Sequence, residues 1–379
     1  MKRIAFSLLL LSAIIGTSCS DDNENQKGIE EGTEVVETAN LRVSIAGQPS
    51  SRYVGEGSTT NNPAVESFIS NFTVFVFNYI SGDLEKSQSF SVTPDNYSGQ
   101  VTGLSTGTGK RVVAFVNVPD DLDLSTITRY DQLHANMLTL DSQNSPNLAT
   151  TGLFMSGETT ESITLTSDNQ QNNIIIPVRR RVAKIILKSL KINVDPTTLP
   201  NFSLTGISVQ KARLTGTPLG TFVPPTGDVT QNYAGGIASP ASANPNFNLT
   251  RYYLLEGLQL PANYQSGAEI ITSTAEERYF YVLANSGING NGTLLTLAGK
   301  YGSVVENAYY PFVINSTYVE GGTDGKFIEC NKKYALSVVI NKPASPSEDP
   351  NEVPSMGGTL EVTITPEEWT TQINQDVEW

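Results

Sequence analysis

The chain has 379 residues, of which 16% are charged, and it carries a formal net charge of −14 at pH 7. This acidic balance argues against binding to nucleic acid or to anionic membrane surfaces, because both are themselves negatively charged. Cys19 and Cys330 are the two cysteines, which is too few for a cysteine-based zinc site. The length suffices for two domains, and the abundance of Thr, Ser, Asn and Gly favours half-buried strands joined by turns.

Residues 1–18 have the pattern of a secretory signal peptide. A basic start at Lys2 and Arg3 precedes an apolar run over 4–15 that is too short to span a bilayer. The small residues that follow lead to Cys19, in a pattern that resembles a bacterial lipoprotein signal. We therefore expect a lipoprotein in which Cys19 is lipidated, for example with palmitate, and becomes the mature N-terminus. The alternative is an ordinary signal peptide with an incidental cysteine.

Residues 20–38 are polar and acidic and have little apolar area to bury, so we expect a flexible tether there. Beyond the tether, Leu41, Val43 and Ile45 alternate with polar residues, which is the pattern of a strand with one buried face. We predict this first strand over residues 39–46. A loop rich in Gly, Ser, Asn and Pro follows it.

Two blocks of short apolar runs predict an all-β protein of two tandem β-sandwich domains, of the transthyretin-like or Greek-key type. We place the domains at residues 53–217 and 218–342, because residues 215–248 between the blocks are dense in Gly, Pro, Ser and Asn. One short helix is expected over 126–140, with Ser125 as its cap. The predicted strands after the first are 72–79, 111–118, 162–166, 174–178, 182–194, 202–214, 251–255, 278–284, 294–298, 309–314, 327–329 and 334–341.

The C-terminal segment, residues 343–379, combines a Pro/Ser/Glu/Gly-rich linker with two extended apolar runs. Such a strand pair either packs on its own domain or leaves it and pairs elsewhere, because an apolar face with unpaired backbone groups is costly to leave in water. The sequence leaves open which of the two runs is the mobile one. The apolar residues of the runs are Leu360, Val362 and Ile364 in the first, and Trp369, Ile373, Val377 and Trp379 in the second.

Enzymatic chemistry finds no support in the chain. His134 is the only histidine, and we expect it on the exposed or capped side of the predicted helix. Cys330 has no histidine partner and is expected as a small hydrophobic residue in a strand. Residues 179–181, three arginines, are expected at a strand terminus facing solvent or an acidic patch. No phosphate-binding loop, dinucleotide fingerprint or metal-ligand cluster is present in the sequence, which predicts a non-enzyme without cofactor or metal.

Seven longer strings follow one another along the chain: ANLRVSIAGQPSSRYVG, NFTVFVFN, LFMSGE, VRRRVAKIILKSLKI, FSLTGISVQKARLTG, IECNKKYALSVVI and the ending VTITPEEW…INQDVEW. In this order they resemble the major stalk subunit, or fimbrillin, of type V pili from Bacteroidetes. The resemblance covers nearly the whole chain. It implies a two-sandwich fold in which the strand over 182–190 belongs to the first sandwich.

The resemblance also implies a route of assembly. An arginine-specific extracellular protease would cut after Arg52, so that Tyr53 becomes the new N-terminus and the propeptide 19–52 is lost together with Leu41, Val43 and Ile45. The C-terminal run of a neighbouring subunit would fill the vacated groove and build a homopolymer. Further implied partners are accessory tip and anchor pilins. The precursor would sit at the outer membrane through its lipid, and the product would be a fimbrium at the cell surface that serves adhesion and biofilm formation.

Two other function classes remain open at this point. The chain could be an accessory pilin, either a tip adhesin or a basal anchor. It could also be a glycan-binding surface lipoprotein, since such binders need an exposed aromatic platform. Tyrosines at positions 252, 253, 279, 281, 309 and 310 could supply that platform, although their strand patterns favour core and cross-strand positions.

Overall fold

A computed structural model of the chain shows an all-β protein built from four main sheets, which confirms the predicted fold class. The described residues belong to one compact unit. The structure describes residues 38–46, 66, 68–92, 97–107, 109–135, 137–144, 148–168, 172–193, 202–220, 253–259, 265–271, 278–285, 287, 292–301, 305–314, 328–341, 347–349, 351–352 and 360–368.

Twenty strands account for most of the described residues, with one turn of α-helix, α1 (Leu148–Thr151), and two 3-10 turns, Tyr130–His134 and Asp141–Asn144. The strands are β1 (Thr38–Ala46), β2 (Asn71–Asn78), β3 (Leu84–Ser91), β4 (Ser98–Ser105), β5 (Gly109–Val116), β6 (Leu138–Thr139), β7 (Met155–Glu158), β8 (Ile163–Thr164), β9 (Asn173–Pro177), β10 (Arg179–Arg180), β11 (Val182–Ile192), β12 (Phe202–Gln210), β13 (Thr215–Gly216), β14 (Tyr253–Gln259), β15 (Glu269–Ile271), β16 (Arg278–Leu283), β17 (Leu294–Tyr301), β18 (Val305–Val313), β19 (Lys332–Ile340) and β20 (Leu360–Glu368).

The first pair of sheets contains β1 to β10, apart from the short β6. A three-stranded sheet in the order β4-β1-β9 packs against a six-stranded sheet in the order β10-β7-β5-β2-β3, to which β8 adds beside β5. The apolar cluster between them takes Phe72, Val74 and Val76 from β2, and β1, β4, β5 and β9 supply most of the rest. Alternate residues of β2 therefore face the small sheet, as the two-residue period of a strand requires.

The other face of the six-stranded sheet is also buried. Phe75 and Phe77 of β2 and Phe115 of β5 belong to a second apolar cluster, together with residues of the second pair of sheets. Strands that are covered on both faces read as continuous apolar runs, which explains the string FTVFVF over residues 72–77. This sheet consequently forms the middle layer of the protein.

The second pair of sheets has the orders β15-β11-β19-β20, with β16 also paired to β11, and β14-β12-β17-β18. Strands β11 and β19 run parallel through the centre of the first of these sheets. Both β11 and β12 belong to this second pair, although they precede the predicted domain boundary near residue 217 and the resemblance implies that residues 182–190 belong to the first sandwich. The chain changes sheet pair between β10 and β11, where no Gly/Pro-rich linker marks the change.

The helix predicted over 126–140 is replaced by a short 3-10 turn followed by β6. Thr128 and Arg129 donate their backbone N–H groups to Gln132 Oε1 at 2.7 and 2.9 Å. These bonds close a tight turn, which competes with a longer helix. Ser125, the predicted cap, instead donates its hydroxyl to Asp123 at 2.7 Å. β-Branched residues in this stretch further disfavour a helix.

Candidate functional site

Strand β1 is the central strand of the three-stranded sheet. It pairs antiparallel with β4, with Leu41 opposite Val101, and parallel with β9, with Val43 opposite Ile174. Arg42 donates its N–H to the Asn172 carbonyl at 2.8 Å. We name the space that β1 fills between β4 and β9 the β1 slot. Because β4 and β9 pair with β1 and not with each other, the removal of β1 would leave both with an unpaired edge.

The inward side chains of β1 are completely enclosed. Ala39, Leu41 and Val43 have no solvent exposure and Ile45 has 3%. They contact the apolar cluster between the two sheets of the first pair, whereas Arg42 is exposed. The prediction of a buried face made of Leu41, Val43 and Ile45 is thus confirmed by the structure.

The β4 side of the slot is braced from the neighbouring sheet. Glu85 of β3 accepts hydrogen bonds from the Ser105 N–H at 2.5 Å and the Ser105 hydroxyl at 2.8 Å, through Oε1. Its Oε2 pairs with Nζ of Lys110, a residue of β5 that is 1% exposed. Lys110 also donates to Ser105 Oγ at 2.7 Å. This cluster fastens the end of β4 independently of β1.

Glu85 is held in its ionised form by the same contacts. Partial burial would raise the pKa of its carboxyl, but the hydrogen bonds from Lys110 and Ser105 outweigh that effect and keep the pKa below its ordinary value of 4.5. A carboxylate that is both partly buried and hydrogen-bonded in this way is a structural brace. Its contacts among the described residues, with Lys110 and Ser105, do not form an arrangement for proton transfer.

The β9 side of the slot is fixed by a side-chain clasp and a close backbone approach. The buried Asn172 accepts a hydrogen bond from the Thr166 N–H at 3.1 Å and donates to the Thr166 carbonyl at 2.7 Å. At the other end of β9, a Cβ on Gly157 would lie 2.0 Å from the Pro177 carbonyl oxygen, so only glycine permits this approach of β7 to β9. Both walls of the slot therefore have supports outside β1.

The chain that follows the predicted cleavage loop is anchored where the two pairs of sheets meet. Glu66 Oε1 lies 2.6 Å from Nζ of Lys184 and accepts a hydrogen bond from the Tyr281 hydroxyl at 3.1 Å. The Glu66 carbonyl accepts a bond at 2.7 Å from Nε of Arg180, whose guanidinium has its pKa lowered to about 10 by burial. Residues 179–181 are predicted at a strand terminus facing solvent or an acidic patch, and the first alternative is wrong for Arg180, which is 2% exposed and contacts Glu66.

A second anchor, the side chain of Asn117, holds the chain a few residues after Glu66, at Phe68 and Ser70. Its side-chain amide donates to the carbonyls of Phe68 and Leu153 at 2.6 and 2.9 Å, and its Oδ1 accepts from the Ser70 N–H at 2.9 Å. Asn117 has a φ of 54°, a left-handed conformation that asparagine tolerates better than most residues. Segments 66–70 are consequently held by contacts that do not involve β1.

Several predicted site residues lie outside the described part of the chain. These are Cys19, Arg52 and Tyr53 near the N-terminus, and Trp369, Ile373, Val377 and Trp379 at the C-terminus. Leu360, Val362 and Ile364 lie in β20, the described edge strand beside β19, where they stand opposite Ile340, Val338 and Leu336. The first C-terminal run thus occupies its own domain in this structure.

The residues considered for chemistry hold structural positions. The His134 ring contacts the Tyr130 ring at a centroid distance of 5.0 Å, in a 3-10 turn instead of the predicted helix. Cys330 is a half-buried free thiol in a turn, so its prediction as a strand residue is wrong. Tyr281, Tyr309 and Tyr310 are each less than 5% exposed, which removes them from an aromatic binding platform.

The described ranges contain no group of three or more His, Cys, Asp and Glu side chains placed to hold a metal ion. A helix with the length and apolar character needed to cross a bilayer is likewise absent from those ranges.

Part of the chain matches known fimbrial proteins. Residues 39–189 match the family model described as major fimbrial subunit protein (FimA). Over 151 residues the chain is 28% identical to a Parabacteroides distasonis protein that carries the name of a fimbrium tip subunit, Fim1C. That alignment covers 39% of this chain and 38% of the relative, so the chain matches well under half of that protein. The predicted family resemblance is confirmed over this region.

Solved structures share the fold over a greater length. The fimbrilin (fimA) of Porphyromonas gingivalis superposes with a TM-score of 0.57 at 18% identity, covering 89% of this chain and 99% of that one. A Parabacteroides distasonis protein described as a cell adhesion protein superposes with a TM-score of 0.59, again at 18% identity, covering 88% and 97% of the two chains. At such identity the likeness is one of fold.

Proposed function

Because residues 39–189 match the FimA fimbrial subunit family, we propose that this chain is a structural pilin that polymerises into a fimbrial shaft by protease-triggered donor-strand exchange. The position of β1 carries the proposal. It is the middle strand of its sheet, its inward side chains are fully enclosed, and the loop with Arg52 follows it directly in the sequence. Removal of one short segment would thus open the core of the subunit.

The energetics favour a switch of this kind. Burial of Leu41, Val43 and Ile45 contributes roughly 5–9 kcal/mol in apolar transfer, before the cost of ordering the strand. A cleaved subunit loses this contribution and exposes two unpaired strand edges. A strand from a second subunit would restore both the side-chain burial and the backbone hydrogen bonds.

The supports of the two walls explain how the slot would persist after cleavage. Glu85 and Lys110 hold β4, while Asn172 and Gly157 position β9, and none of these four residues lies in the segment to be removed. Glu66 and Asn117 hold the chain downstream of Arg52. Proteolysis would then remove β1 from a frame that is otherwise retained.

The geometry of assembly follows from one slot and one donor per chain. Each subunit accepts at its first pair of sheets and donates from its C-terminal segment, so the contact joins two different surfaces and the product is an open filament. The N-terminal strand fills the slot in the precursor and prevents assembly before export. In this proposal lipidation at Cys19 holds the precursor at the outer membrane, and an arginine-specific protease supplies the trigger.

The test is processing of the full precursor, residues 20–379, by trypsin or an arginine-specific protease, with N-terminal sequencing and electron microscopy. A single early cut that exposes Tyr53, followed by filaments, is the expected result. Arg52→Gln should prevent both, whereas Arg42→Gln, a matched change inside the paired β1, should prevent neither. Persistence of monomers after a clean cut would instead favour an accessory role, which the name of the Parabacteroides relative makes the second candidate. Absence of a cut at Arg52 would contradict the proposal.

A further inference from the structure

Two segments at opposite ends of the chain share one pattern. Residues 41–45 read LRVSI and residues 360–364 read LEVTI, so Leu, Val and Ile recur in the same order with polar residues between them. The likeness extends one step towards the N-terminus, because Gly358 precedes the second pattern by two residues as the buried Ala39 precedes the first. The enclosed positions of β1 therefore have a small-Leu-Val-Ile counterpart in the C-terminal segment.

We infer that residues 358–365 of a second copy of this chain fill the β1 slot, in the direction of β1, with Leu360, Val362 and Ile364 at the positions of Leu41, Val43 and Ile45. This assignment rests on the proposed function and decides between the two C-terminal runs. The volumes match position by position, which matters because the core around Leu41 and Val43 has no room for larger side chains without strain.

Pro366 fixes the direction. With Leu360 at the position of Leu41, Pro366 falls at position 47, one residue beyond the end of β1 at Ala46. Proline has no N–H group and is tolerated at a strand end or an edge, but not inside a strand that pairs on both sides. The reverse direction, with Ile364 at the position of Leu41, would put Pro366 at the enclosed position of Ala39. The forward register is consequently the compatible one.

The last eleven residues fit the slot poorly in every register. Their apolar face is Trp369, Thr371, Ile373, Gln375, Val377 and Trp379. Any four successive positions of this face include Gln375, which would enter a core that is closed to water. A register that starts at Glu367 avoids Gln375 but places a carboxylate at the position of Ala39. The alternate face carries Asp376 and Glu378 and is less suitable still.

The present place of β20 is compatible with its departure. Of the described strands, only β19 pairs with β20, which makes it an edge strand. In the β1 slot the same segment would pair on both sides, with β4 and β9, and would gain a second ladder of hydrogen bonds. The eight residue spacings from Glu352 to Leu360 reach roughly 26–29 Å when extended. The two backbone hydrogen bonds between Ser347 and Tyr309 do not involve β20, so the departure of β20 does not itself break them.

The experiment is a competition during filament growth by the processed full-length chain. One synthetic peptide has the sequence of residues 357–366 (GGTLEVTITP), a second has that of residues 369–379 (WTTQINQDVEW), and a third is a scrambled form of the first. We expect the first peptide to slow growth by about tenfold or more and to appear bound to the cleaved subunit in native mass spectrometry. The other two should have no effect.

Chain variants give an independent reading. Val362→Asp should abolish growth of the cleaved subunit, and Ile373→Asp, the matched change in the other run, should leave growth within about twofold of wild type. Because Val362→Asp could also weaken the subunit's own sheet, its circular dichroism spectrum and its ability to accept donors from wild-type subunits are measured as well. A folded Val362→Asp acceptor supports the assignment.

The opposite pattern would overturn the inference: inhibition by residues 369–379 alone, or loss of growth with Ile373→Asp and not with Val362→Asp. Inhibition by neither peptide, in a reaction that still forms filaments, would overturn it too. Filaments without any peptide report on the proposed function separately. If the processed wild-type chain forms none, the proposed function itself fails. Binding of the 357–366 peptide to the cleaved subunit, measured by native mass spectrometry, then still tests whether this segment fills the β1 slot.

Discussion

The Nζ atom of Lys184 lies 2.6 Å from Oε1 of Glu66, and both side chains are almost fully buried. Lys184 belongs to β11, the strand with which the chain enters the second pair of sheets, and Glu66 follows the loop that contains Arg52. A buried ion pair is stable only when each charge has its partner, because both have lost their hydration. This pair therefore fastens the chain after the predicted cut to the other half of the molecule.

Glu66→Gln should lower the free energy of unfolding by about 3 kcal/mol, since it removes the carboxylate that lies 2.6 Å from the buried Lys184 ammonium. The measurement is urea denaturation of the full chain. The matched control is Glu329→Gln, which breaks the more exposed pair with Lys332 at 3.8 Å and should cost about 0.5 kcal/mol or less. Equal effects of the two changes would contradict the anchoring role of Glu66.

Acid should weaken the brace at Glu85. Its pKa is below the ordinary value of 4.5, so the stability it contributes is present above that pH and is lost as the pH falls through the lower, folded-state pKa. Glu85→Gln should therefore flatten the fall in stability below about pH 4.5. Urea unfolding at a series of pH values between 7 and 3 checks this, with the exposed Glu161→Gln as control. A Glu85→Gln profile that runs parallel to wild type would refute it.

If β1 is removed as proposed, its side chains should matter for the stability of the precursor and not for that of the filament. Leu41→Ala is expected to cost the precursor about 2–5 kcal/mol, because it empties a fully enclosed position. Filaments grown from the cleaved variant should melt at the wild-type temperature, since residue 41 is no longer part of them. Arg42→Ala, in the same strand but exposed, should change the precursor by about 0.5 kcal/mol or less. A lowered melting temperature of Leu41→Ala filaments would argue against loss of β1.

Asn117 combines an unusual backbone conformation with four side-chain hydrogen bonds, to the Ser70 N–H and hydroxyl and to the carbonyls of Phe68 and Leu153. Asn117→Gly keeps the conformation and loses the side-chain bonds, whereas Asn117→Ala loses both, so Ala should be the more destabilising by about 1–2 kcal/mol. Thermal unfolding of the two variants measures the difference. Lys211→Gly is the control, because its residue has a similar φ of 53° and the change should be neutral or stabilising. A Gly variant as unstable as the Ala variant would contradict the conformational argument.

Local patterns of burial made much of the fold predictable. The continuous apolar run at 72–77 and the alternation at 41–45 both identified their strands, because their side chains report directly which faces are covered. Strands β3 and β4 were missed, since LEKSQSFS and SGQVTGLS carry few apolar residues and lie partly open to solvent. Backbone pairing of β3 with β2 and of β4 with β1 holds these segments as strands, although their sequences have no apolar pattern that predicts one.

The site was predictable only where it depends on one segment. The enclosed residues of β1 followed from their spacing, but the supports of the slot did not, because Glu85, Ser105 and Lys110 meet through three different strands. The burial of Arg180 was not predictable, since nothing in the local sequence shows that Glu66, 114 residues away along the chain, contacts it. The parallel pairing of β11 with β19 was not predictable either, because it joins segments on the two sides of the Gly/Pro-rich stretch near residue 217.

The neighbours of β1 run in opposite directions, one parallel to it and the other antiparallel. Any strand that enters between them meets one neighbour of each kind, whichever end goes in first, and so forms the same numbers of parallel and antiparallel pairings. The numbers of parallel and antiparallel pairings therefore do not favour either direction of the inserted strand. The side-chain volumes of the inserted strand and the missing N–H of Pro366 do distinguish the two directions. The polarity of a whole fibre would therefore depend on a few side chains of one short segment.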